Sequence, residues 1–410
     1  MNGLDVVGVP AGGWSELGEA ARTLIADAEV LIGGRRHLDL VPADLGRAER
    51  LQWPSPLRPA LPGLLDGWAD RRTVVLASGD PLVSGIGSTL IELLGADTVR
   101  IHPAVSSVAL AGARLGWSSE TVRVVSVVGR DLDLVRRHLA PGQRLIVLSS
   151  GAETPGELAT LLVEAGYGPS ALTVLGDLGT TSETRTQTIA ADADGLGDAP
   201  TLNLVAVECR AEADTRPLGS SPGLPDDAYA HDGQLTKRDL RASALSRLAP
   251  VPGELLWDLG AGAGSIAIEW ARTDPRCRAI AVDRTPDRAV RITANAARLG
   301  VPGIQVITAD VIETLDWLPQ PSAIFVGGGA DLDLIRRCWH LLPAGGRLVA
   351  HAVTMETEQI LLEAWRGFGG ELVRIGVEKL AALGGFHGWK PARAVVQWSA
   401  VRDADTGLSS

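Results

Sequence analysis

Asp258 stands at the head of Asp258-Leu-Gly260-Ala-Gly262-Ala-Gly264-Ser265, directly after the apolar run Leu255 to Trp257. An apolar run, a glycine turn and then the helical spacing of Ile266, Ile268 and Ala271 read as the first strand–turn–helix unit of a Rossmann-like parallel sheet. Such a turn captures polar ligands, because glycines let the chain bend sharply and leave bare N–H groups exposed at a helix start. Three more positions repeat the theme of a polar group or bare backbone at a strand end. Asp283 closes the strand Ala279 to Val282, about 25 residues past Asp258, where a carboxylate can accept both hydroxyls of a ribose. Asp310 follows the strand Ile304 to Thr308. Gly327 and Gly328 follow Ala323 to Val326 and let a ligand approach the backbone closely. A dinucleotide-binding turn, G-x-G-x-x-G, needs no acid at its head, whereas D-x-G-x-G-x-G has one.

The elements that must position these residues alternate between strand and helix along the whole chain, which predicts an α/β protein with mostly parallel sheets. In the first half, Leu4 to Val9 is a strand ending in Pro10-Ala-Gly-Gly13, and a helix runs through Leu17, Ala21, Leu24 and Ile25. Val30 to Ile32 ends in Gly33-Gly-Arg-Arg-His37, and Thr73 to Ala77 ends in Ser78-Gly-Asp-Pro81. Ligands on such sheets sit at the carboxyl ends of strands, and all three of these turns, each rich in glycine, lie at such ends. Ala211 to Asp226 is polar and rich in proline and glycine, and reads as a linker. Beyond it, Thr236 is a plausible N-cap with Asp239 three residues on, close to a capping box. Lys237, Arg238 and Arg241 are either a solvated basic face or cations for substrate carboxylates. His351, in His351-Ala-Val-Thr-Met-Glu356, offers a hydrogen bond to a substrate. Gly384 to Pro391 reads as a glycine-rich loop before a last strand, Val395 to Val401. Its Phe386 and Trp389 either stack on a large conjugated ring or close the core.

Composition bounds the classes. The 410 residues are enough for two or three domains, and 45% hydrophobic with 21% charged residues is the mix of a soluble globular protein. No apolar run reaches membrane-spanning length, and the start lacks a basic n-region, so a cytoplasmic protein is expected. Cys209, Cys277 and Cys338 lie far apart, which predicts neither a zinc site nor a disulfide framework. A net charge of −11 argues against nucleic acid as a partner.

The motif headed by Asp258 resembles motif I of the class I S-adenosylmethionine (SAM) methyltransferases. The first half resembles the tetrapyrrole (corrin/porphyrin) methylases, the class III fold. That match rests on Val7-Gly8, Ala28 to Leu38, Ala77 to Pro81, Pro103 to Ser107, Val147 to Gly151, and Leu175 to Gly179 with Glu183. The family's first loop commonly reads G-x-G-P-G, and here Pro10 occupies a place where glycine would be free. This resemblance implies a two-lobed domain, the lobes meeting near Val99 to Pro103, with SAM held between them. A tetrapyrrole methylase followed by a motif-I domain that opens with Thr236-Lys237 resembles the precorrin-6Y C(5,15)-methyltransferase (decarboxylating) family, a fusion of CbiE-like and CbiT-like domains.

The implied domains are 1–212 and 223–410, joined by a linker at 213–222. Two SAM sites per chain are implied, one built on Gly8, Gly79, Asp80, Pro81 and Ser106. The other is built on Asp258, Gly260, Gly262, Gly264, Ser265, Asp283, Asp310, Gly327 and Gly328. Thr236, Lys237 and His351 are implied on the substrate side, with Arg238, Arg284 and Lys390 as further cations. The implied substrate is precorrin-6Y, methylated at carbons 5 and 15 and decarboxylated at the carbon-12 acetate, in a homo-oligomer that binds neither nucleic acid nor membrane. In this family the position of His351 usually carries Asn. An RNA methyltransferase and a non-catalytic SAM or tetrapyrrole sensor are the rival readings of the same motifs.

Overall fold

The computed structural model describes residues 3–45, 47–54, 57–68, 71–193, 196 and 199–403. The chain forms two compact units, Met1–Arg130 with Pro141–Thr215, and Asp131–Ala140 with Arg216–Ser410.

The first unit holds two five-stranded sheets. β1 (Leu4–Val9), β2 (Val30–Gly33), β3 (Glu49–Gln52), β4 (Thr73–Ser78) and β5 (Val99–His102) lie in the order β3-β2-β4-β1-β5. All neighbours are parallel. All six residues of β1 are buried, the pattern of a central parallel strand covered on both faces. The chain leaves this sheet after β5, and the helix Ser107–Leu115 leads to the second sheet. The second sheet contains β6 (Val122–Ser126), β7 (Arg144–Leu148), β8 (Ala171–Gly176), β9 (Thr184–Ile189) and β10 (Asn203–Glu208), in the order β6-β7-β10-β8-β9. Only β6 and β7 pair in parallel.

The second unit is built on one seven-stranded sheet. Its strands are β11 (Leu255–Leu259), β12 (Arg278–Asp283), β13 (Gln305–Thr308), β14 (Ala323–Val326), β15 (Arg347–Ala352) and β16 (Glu371–Ile375). After a separate hairpin of β17 (Glu378–Leu383) and β18 (Phe386–Pro391), β19 (Val395–Val401) completes it. The order is β13-β12-β11-β14-β15-β19-β16, parallel through β15, with β19 antiparallel to both its neighbours. β11 therefore lies where the strand order reverses, the place at which open α/β sheets bind ligands.

Every residue from Ser265 to Arg272 in the helix after β11 is buried, including Glu269. Glu269 survives there because its carboxylate is fully used. It accepts the N–H groups of Gly223 (2.6 Å) and Leu224 (3.0 Å), the Tyr229 hydroxyl (2.9 Å) and the Arg241 guanidinium. Arg241 is 0% exposed, lies 4.8 Å from the Tyr229 ring centre and also donates to the carbonyls of Thr236 and Leu224. A buried pair is tolerated when all its groups are satisfied, and losing one partner costs about 3–5 kcal/mol. This network pins residues 223–229 to the second unit. Residues 131–140 pack there too. Arg137 donates to the carbonyls of Ala271 (2.9 Å) and Arg272 (3.3 Å), and a Cβ on Gly300 would meet the Arg137 nitrogen at 2.3 Å.

Several local expectations are corrected. The helix expected from a Thr236 cap spans Arg238–Leu248, with Lys237 at the N-cap and no side-chain cap. Asp226 takes the Arg238 N–H instead (3.0 Å), and the carbonyl of Thr236 is held by Arg241. Arg241 itself is buried structure and is not available to a substrate carboxylate. The first helix starts at Glu19, beyond Leu17. Gly384 to Pro391 is not a loop. Gly384-Gly385 is the two-residue turn of the β17–β18 hairpin, with Leu383 opposite Phe386, and Gly384 takes the positive φ (+60°) that such turns need.

Candidate functional site

At the carboxyl edge of the second unit's sheet, the glycine turn is shaped by contacts that exclude side chains. Gly260, Gly262 and Gly264 all have positive φ. A Cβ on Gly260 would lie 3.1 Å from the Gly328 carbonyl, and one on Gly264 2.7 Å from Ile292. A Cβ on Gly327 would lie 3.2 Å from the Gly260 carbonyl, so the ends of β11 and β14 meet as bare backbone. Ser265 opens the helix, with Gly264 as its left-handed N-cap.

The acids divide by burial. Asp258 is 1% exposed and lies beneath the turn, its Oδ2 accepting the Ala267 N–H at 3.0 Å. Its Oδ1 is buried and has no hydrogen-bond partner among the described residues. Burial pushes the Asp258 carboxyl up to about 7, with the neighbouring charge of Asp283 adding to the rise and the Ala267 bond opposing it. Asp283 ends β12 and ties two backbones together, accepting from Gly262 N–H and Thr285 N–H, both at 2.9 Å. Asp310 is exposed and caps the helix that follows it, accepting the Ile312 N–H at 3.0 Å.

A second layer lies over the turn. The Ala230 N–H donates to Asn295 (2.9 Å), and Asn295 in turn donates to the carbonyls of Ala230 (2.9 Å) and Ala263 (3.0 Å). Asp232 is clasped by Arg288 (2.9 Å) and Arg291 (3.3 Å). The Arg288 hydrogen bond above all holds the Asp232 carboxyl far below its usual range. The Gln234 carbonyl consequently lies where a Cβ on Gly262 would meet it at 2.9 Å. Thr236 and Lys237 follow two and three residues later. Lys237 is exposed, with its ammonium 3.9 Å from Asp226, and Arg238 and Arg284 are exposed as well. His351 is on β15, one residue past the Ala350–Val326 pair and so level with Gly327. It is 5% exposed, lies edge-on to Phe325 and hydrogen-bonds Gln397 at 2.8 Å. Burial lowers its imidazole to about 4, so it is neutral at physiological pH and cannot serve as a cation.

In the first unit, the carboxyl ends of β1, β4 and β5 converge. Gly79 N–H donates to the Val9 carbonyl (2.9 Å), and the Gly79 carbonyl accepts from Ala104 N–H (3.1 Å). A Cβ on Gly8 would fall 1.8 Å from that carbonyl, and one on Gly79 2.9 Å from the Ser106 Cα. Asp80 accepts the Leu82 N–H (2.9 Å), and Ser106 caps the next helix through the Ala109 N–H (3.1 Å). The Pro81 carbonyl is the close neighbour of Gly85 and Gly87. Pro10 is accommodated by a turn closed by Gly13 N–H to its carbonyl (3.0 Å). From the second sheet, Gly179 comes against Ala11, and Glu183 is fixed by Arg114 (2.6 and 3.0 Å) and by the Gly179 N–H. His37 and Ser78 share a 2.7 Å hydrogen bond beside Gly79, and burial lowers His37 to about 4. A cavity of about 340 Å³ lies at the opposite, amino end of this first sheet, lined by Asp5, Asp27, Thr73 and Arg100 among others, and none of the ligand-edge residues reaches it.

Sequence reasoning missed the Glu269–Arg241–Tyr229 network, the Asp232 clasp and the His37–Ser78 pair. Glu269 carried a usable signal, a lone acid in an otherwise apolar helical run. The clasp carried none, because its partners lie 56 and 59 residues apart. Both edges suit SAM. Each is a cradle that a Cβ would fill, and the second adds a strand-end carboxylate for ribose hydroxyls and the partnerless Asp258 oxygen. Among the described residues, no group of His, Cys, Asp or Glu is placed to hold a metal ion, and no helix is long and apolar enough to cross a membrane.

Two family models match the chain. One is described as tetrapyrrole (corrin/porphyrin) methylases, over residues 4–194, and the other as a precorrin methyltransferase domain, over residues 227–402. A Sinorhizobium protein named precorrin-6Y C(5,15)-methyltransferase [decarboxylating] is 46% identical over 97% of this chain and 95% of its own length. Two shorter relatives match less of the chain. A Pyrobaculum aerophilum protein named "Probable cobalt-precorrin-6B C(15)-methyltransferase (decarboxylating)" is 33% identical over 43% of this chain and 94% of its own length. A Salmonella typhimurium cobalt-precorrin-7 C(5)-methyltransferase is 34% identical over 40% of this chain and 80% of its own length.

Proposed function

The chain belongs to the precorrin-6Y C(5,15)-methyltransferase (decarboxylating) family, and on that basis we propose how its two halves divide the work. Each unit binds one SAM. The first methylates carbon 5 of precorrin-6Y. The second methylates carbon 15 and releases CO2 from the carbon-12 acetate. The observation that carries this reading is the pair of ligand edges, one per unit, each closed so tightly that a Cβ would strike backbone. The division is supported by the shorter relatives, whose names put C(15) methylation with decarboxylation in one protein and C(5) methylation in another. The carbon-12 acetate lies on the ring adjoining carbon 15, so one pocket serves both changes.

Bound SAM supplies an electrophilic methyl group to an electron-rich ring carbon, so the protein needs no nucleophilic side chain. Its task is alignment and the exclusion of water. Asp283 offers a ribose contact while it fixes Gly262. Asp258 supports the turn from below, and Asp310 stands at the end of β13 for the adenine. Gly327 and Gly328 leave room for the reacting ring. In the first unit, Gly8, Gly79, Asp80, Pro81 and Ser106 form the corresponding edge. Lys237, Arg238, Arg284 and Lys390 are exposed cations for the substrate's acetates and propionates. Thr236, beside Lys237, borders the same entrance. His351 remains neutral and orients the floor of the pocket through Phe325 and Gln397. Loss of CO2 leaves an electron pair on the conjugated ring, and a proton taken up there balances the step. Self-association of the chain is part of this reading.

Calorimetry of SAM binding to the full chain tests it. The wild type should bind two equivalents. Gly262→Val should bind one, because the added branch meets the Gln234 carbonyl. A wild-type stoichiometry of one would remove a unit from catalysis. The full chain is the right sample, since residues 131–140 pack with the second unit and a fragment starting at Gly223 would lack them.

A further inference from the structure

The first unit carries a group of hydrogen-bond donors that its glycine cradle does not use. β2 runs parallel to β4 on the side away from β1, so its carboxyl end opens on the same edge as the cradle, but beside it. Gly33 closes β2, and a Cβ there would meet the Leu76 and His37 side chains at 3.2 and 3.3 Å. That bare contact lets the short helix Arg35–Asp39 lie close to β4 and brings His37 to Ser78, with Nε2 and Oγ 2.7 Å apart. The other ring nitrogen decides the direction of this bond. His37 Nδ1 is buried and has no partner among the described residues, and a Cβ on Gly34 would touch it at 3.4 Å. A buried N–H without an acceptor is rarely tolerated, so the ring proton sits on Nε2 and is donated to Ser78 Oγ. Burial, with the nearby charge of Arg36 adding to it, lowers the imidazole to about 4, so the ring holds no second proton at neutral pH. Ser78 is exposed, and its own hydroxyl hydrogen is left to donate outward. Arg36 is exposed too, and its guanidinium has no hydrogen-bond or ion-pair partner among the described residues. Arg35 lies 3.9 Å from Asp39, and Asp80, two residues past Ser78, accepts the Leu82 N–H.

We propose that Arg36 and the Ser78 hydroxyl form a carboxylate subsite that grips one acetate or propionate of the macrocycle, with His37 as the residue that positions the serine. The proposal rests on the reading that the first unit methylates carbon 5. Two donors that lack acceptors call for an anion, and a guanidinium with a hydroxyl suits the two oxygens of a carboxylate. The carboxylate of SAM has the same chemistry, but the strand order decides against it. The cradle of Gly8, Gly79, Ala104 and Ser106 is built on β4 and, beyond it, β1 and β5, whereas Arg36 and His37 follow β2 on the other flank of β4. Charge agrees, because a chain of net charge −11 repels a polycarboxylate unless local cations receive it. The subsite sets specificity. The bridge carbons of a tetrapyrrole resemble one another and offer nothing to grip, so the ring is oriented through its side chains, and one held carboxylate selects the carbon that faces the methyl group.

Kinetics of the full chain test it, with precorrin-6Y varied at saturating SAM and methylation at carbon 5 and release of CO2 followed in the same reactions. Arg36→Ala should raise KM for the macrocycle in carbon-5 methylation about tenfold, the factor for one hydrogen bond to a charged group. Arg36→Lys should recover part of that loss. Ser78→Ala and His37→Ala should each raise KM several-fold, and the two together no further, because His37 acts through Ser78. His37→Gln, whose amide N–H can replace Nε2–H, should stay close to wild type, which a merely space-filling histidine would not require. Every variant should still bind two equivalents of SAM and release CO2 at the wild-type rate, which shows that both units are folded. An unchanged KM in both Arg36→Ala and Ser78→Ala overturns the subsite. Weaker SAM binding at the first site with KM for the macrocycle unchanged assigns the donors to the cofactor, and also overturns it. A wild type that places no methyl on carbon 5 overturns the reading of the first unit and the subsite with it.

Discussion

The two ligand edges do the same job with different materials. In the first unit, Gly8, Gly79 and Ala104 are held by direct contact of three adjacent strand ends, with side-chain bonds such as Asp80 to Leu82 and His37 to Ser78 around them. In the second unit, acidic side chains support the edge, with the buried Asp258 and Asp283 bonded to backbone amides, the buried Glu269 bound to Arg241, and the exposed Asp232 clasped by two arginines. An edge held by backbone contact tolerates no added carbon but is indifferent to pH. An edge supported by carboxylates is as closed to an added carbon at its glycines but also responds to charge.

The largest expected effect comes from breaking the charged support. Glu269→Gln should leave the buried Arg241 guanidinium with only the more distant Asp226 carboxylate (3.4 Å) as counter-charge and destabilise the second unit by up to about 3–5 kcal/mol. Chemical unfolding should show that loss while the first unit's transition stays in place. Next comes pH. The folded pKa of Asp258, about 7, lies above its ordinary value of 3.8, so the native state holds the proton that the unfolded chain releases between these pH values. Stability should fall as pH rises from about 4 to about 7 and then level off, by about 2–4 kcal/mol from this group alone. Asp258→Asn should remove that slope and leave the variant more stable than wild type at pH 8. His351 works the other way. Its pKa is lowered to about 4, so its share of stability is intact above about 6.5 and is lost as pH falls below that, a slope His351→Gln should flatten.

Smaller effects test the first edge. Gly8→Ala would force a methyl onto the Gly79 carbonyl, and such overpacking costs about 1–3 kcal/mol. SAM binding to the first unit should disappear with no change in the second. Asp80→Ala removes one local hydrogen bond, worth about 0.5–1.5 kcal/mol, and should weaken the first SAM site several-fold without altering the pH profile. A strong pH dependence of the first site would break the contrast between the edges.

The sequence showed most of the positions that lie in regular repeats. β1, β14 and β19 begin and end at the residues read from the sequence, because each is a mostly apolar, mostly buried stretch closed by proline, glycine or a charged residue. The strand-end rule placed the turns after β1 and β4 at a ligand edge, but the close approach of Gly8 to Gly79 was visible only in the structure. Features made by distant pairing did not show. Nothing near Arg241 distinguishes a surface cation from the partner of Glu269, since the two are 28 residues apart. The hairpin was hidden by its own glycines, which mark a turn and a loop equally well. Residues 131–140 pack far along the chain from their own place in sequence, and no local pattern announces that.

The most direct measurement is the mass of the product formed from precorrin-6Y and SAM by the full chain and by two variants. Wild type should add two methyl groups and lose one CO2. Gly8→Ala should add one methyl and still lose CO2. Asp283→Ala should yield no product that has lost CO2. Loss of CO2 by the Asp283 variant, or its retention by the Gly8 variant despite methylation, would contradict the division of labour between the two units.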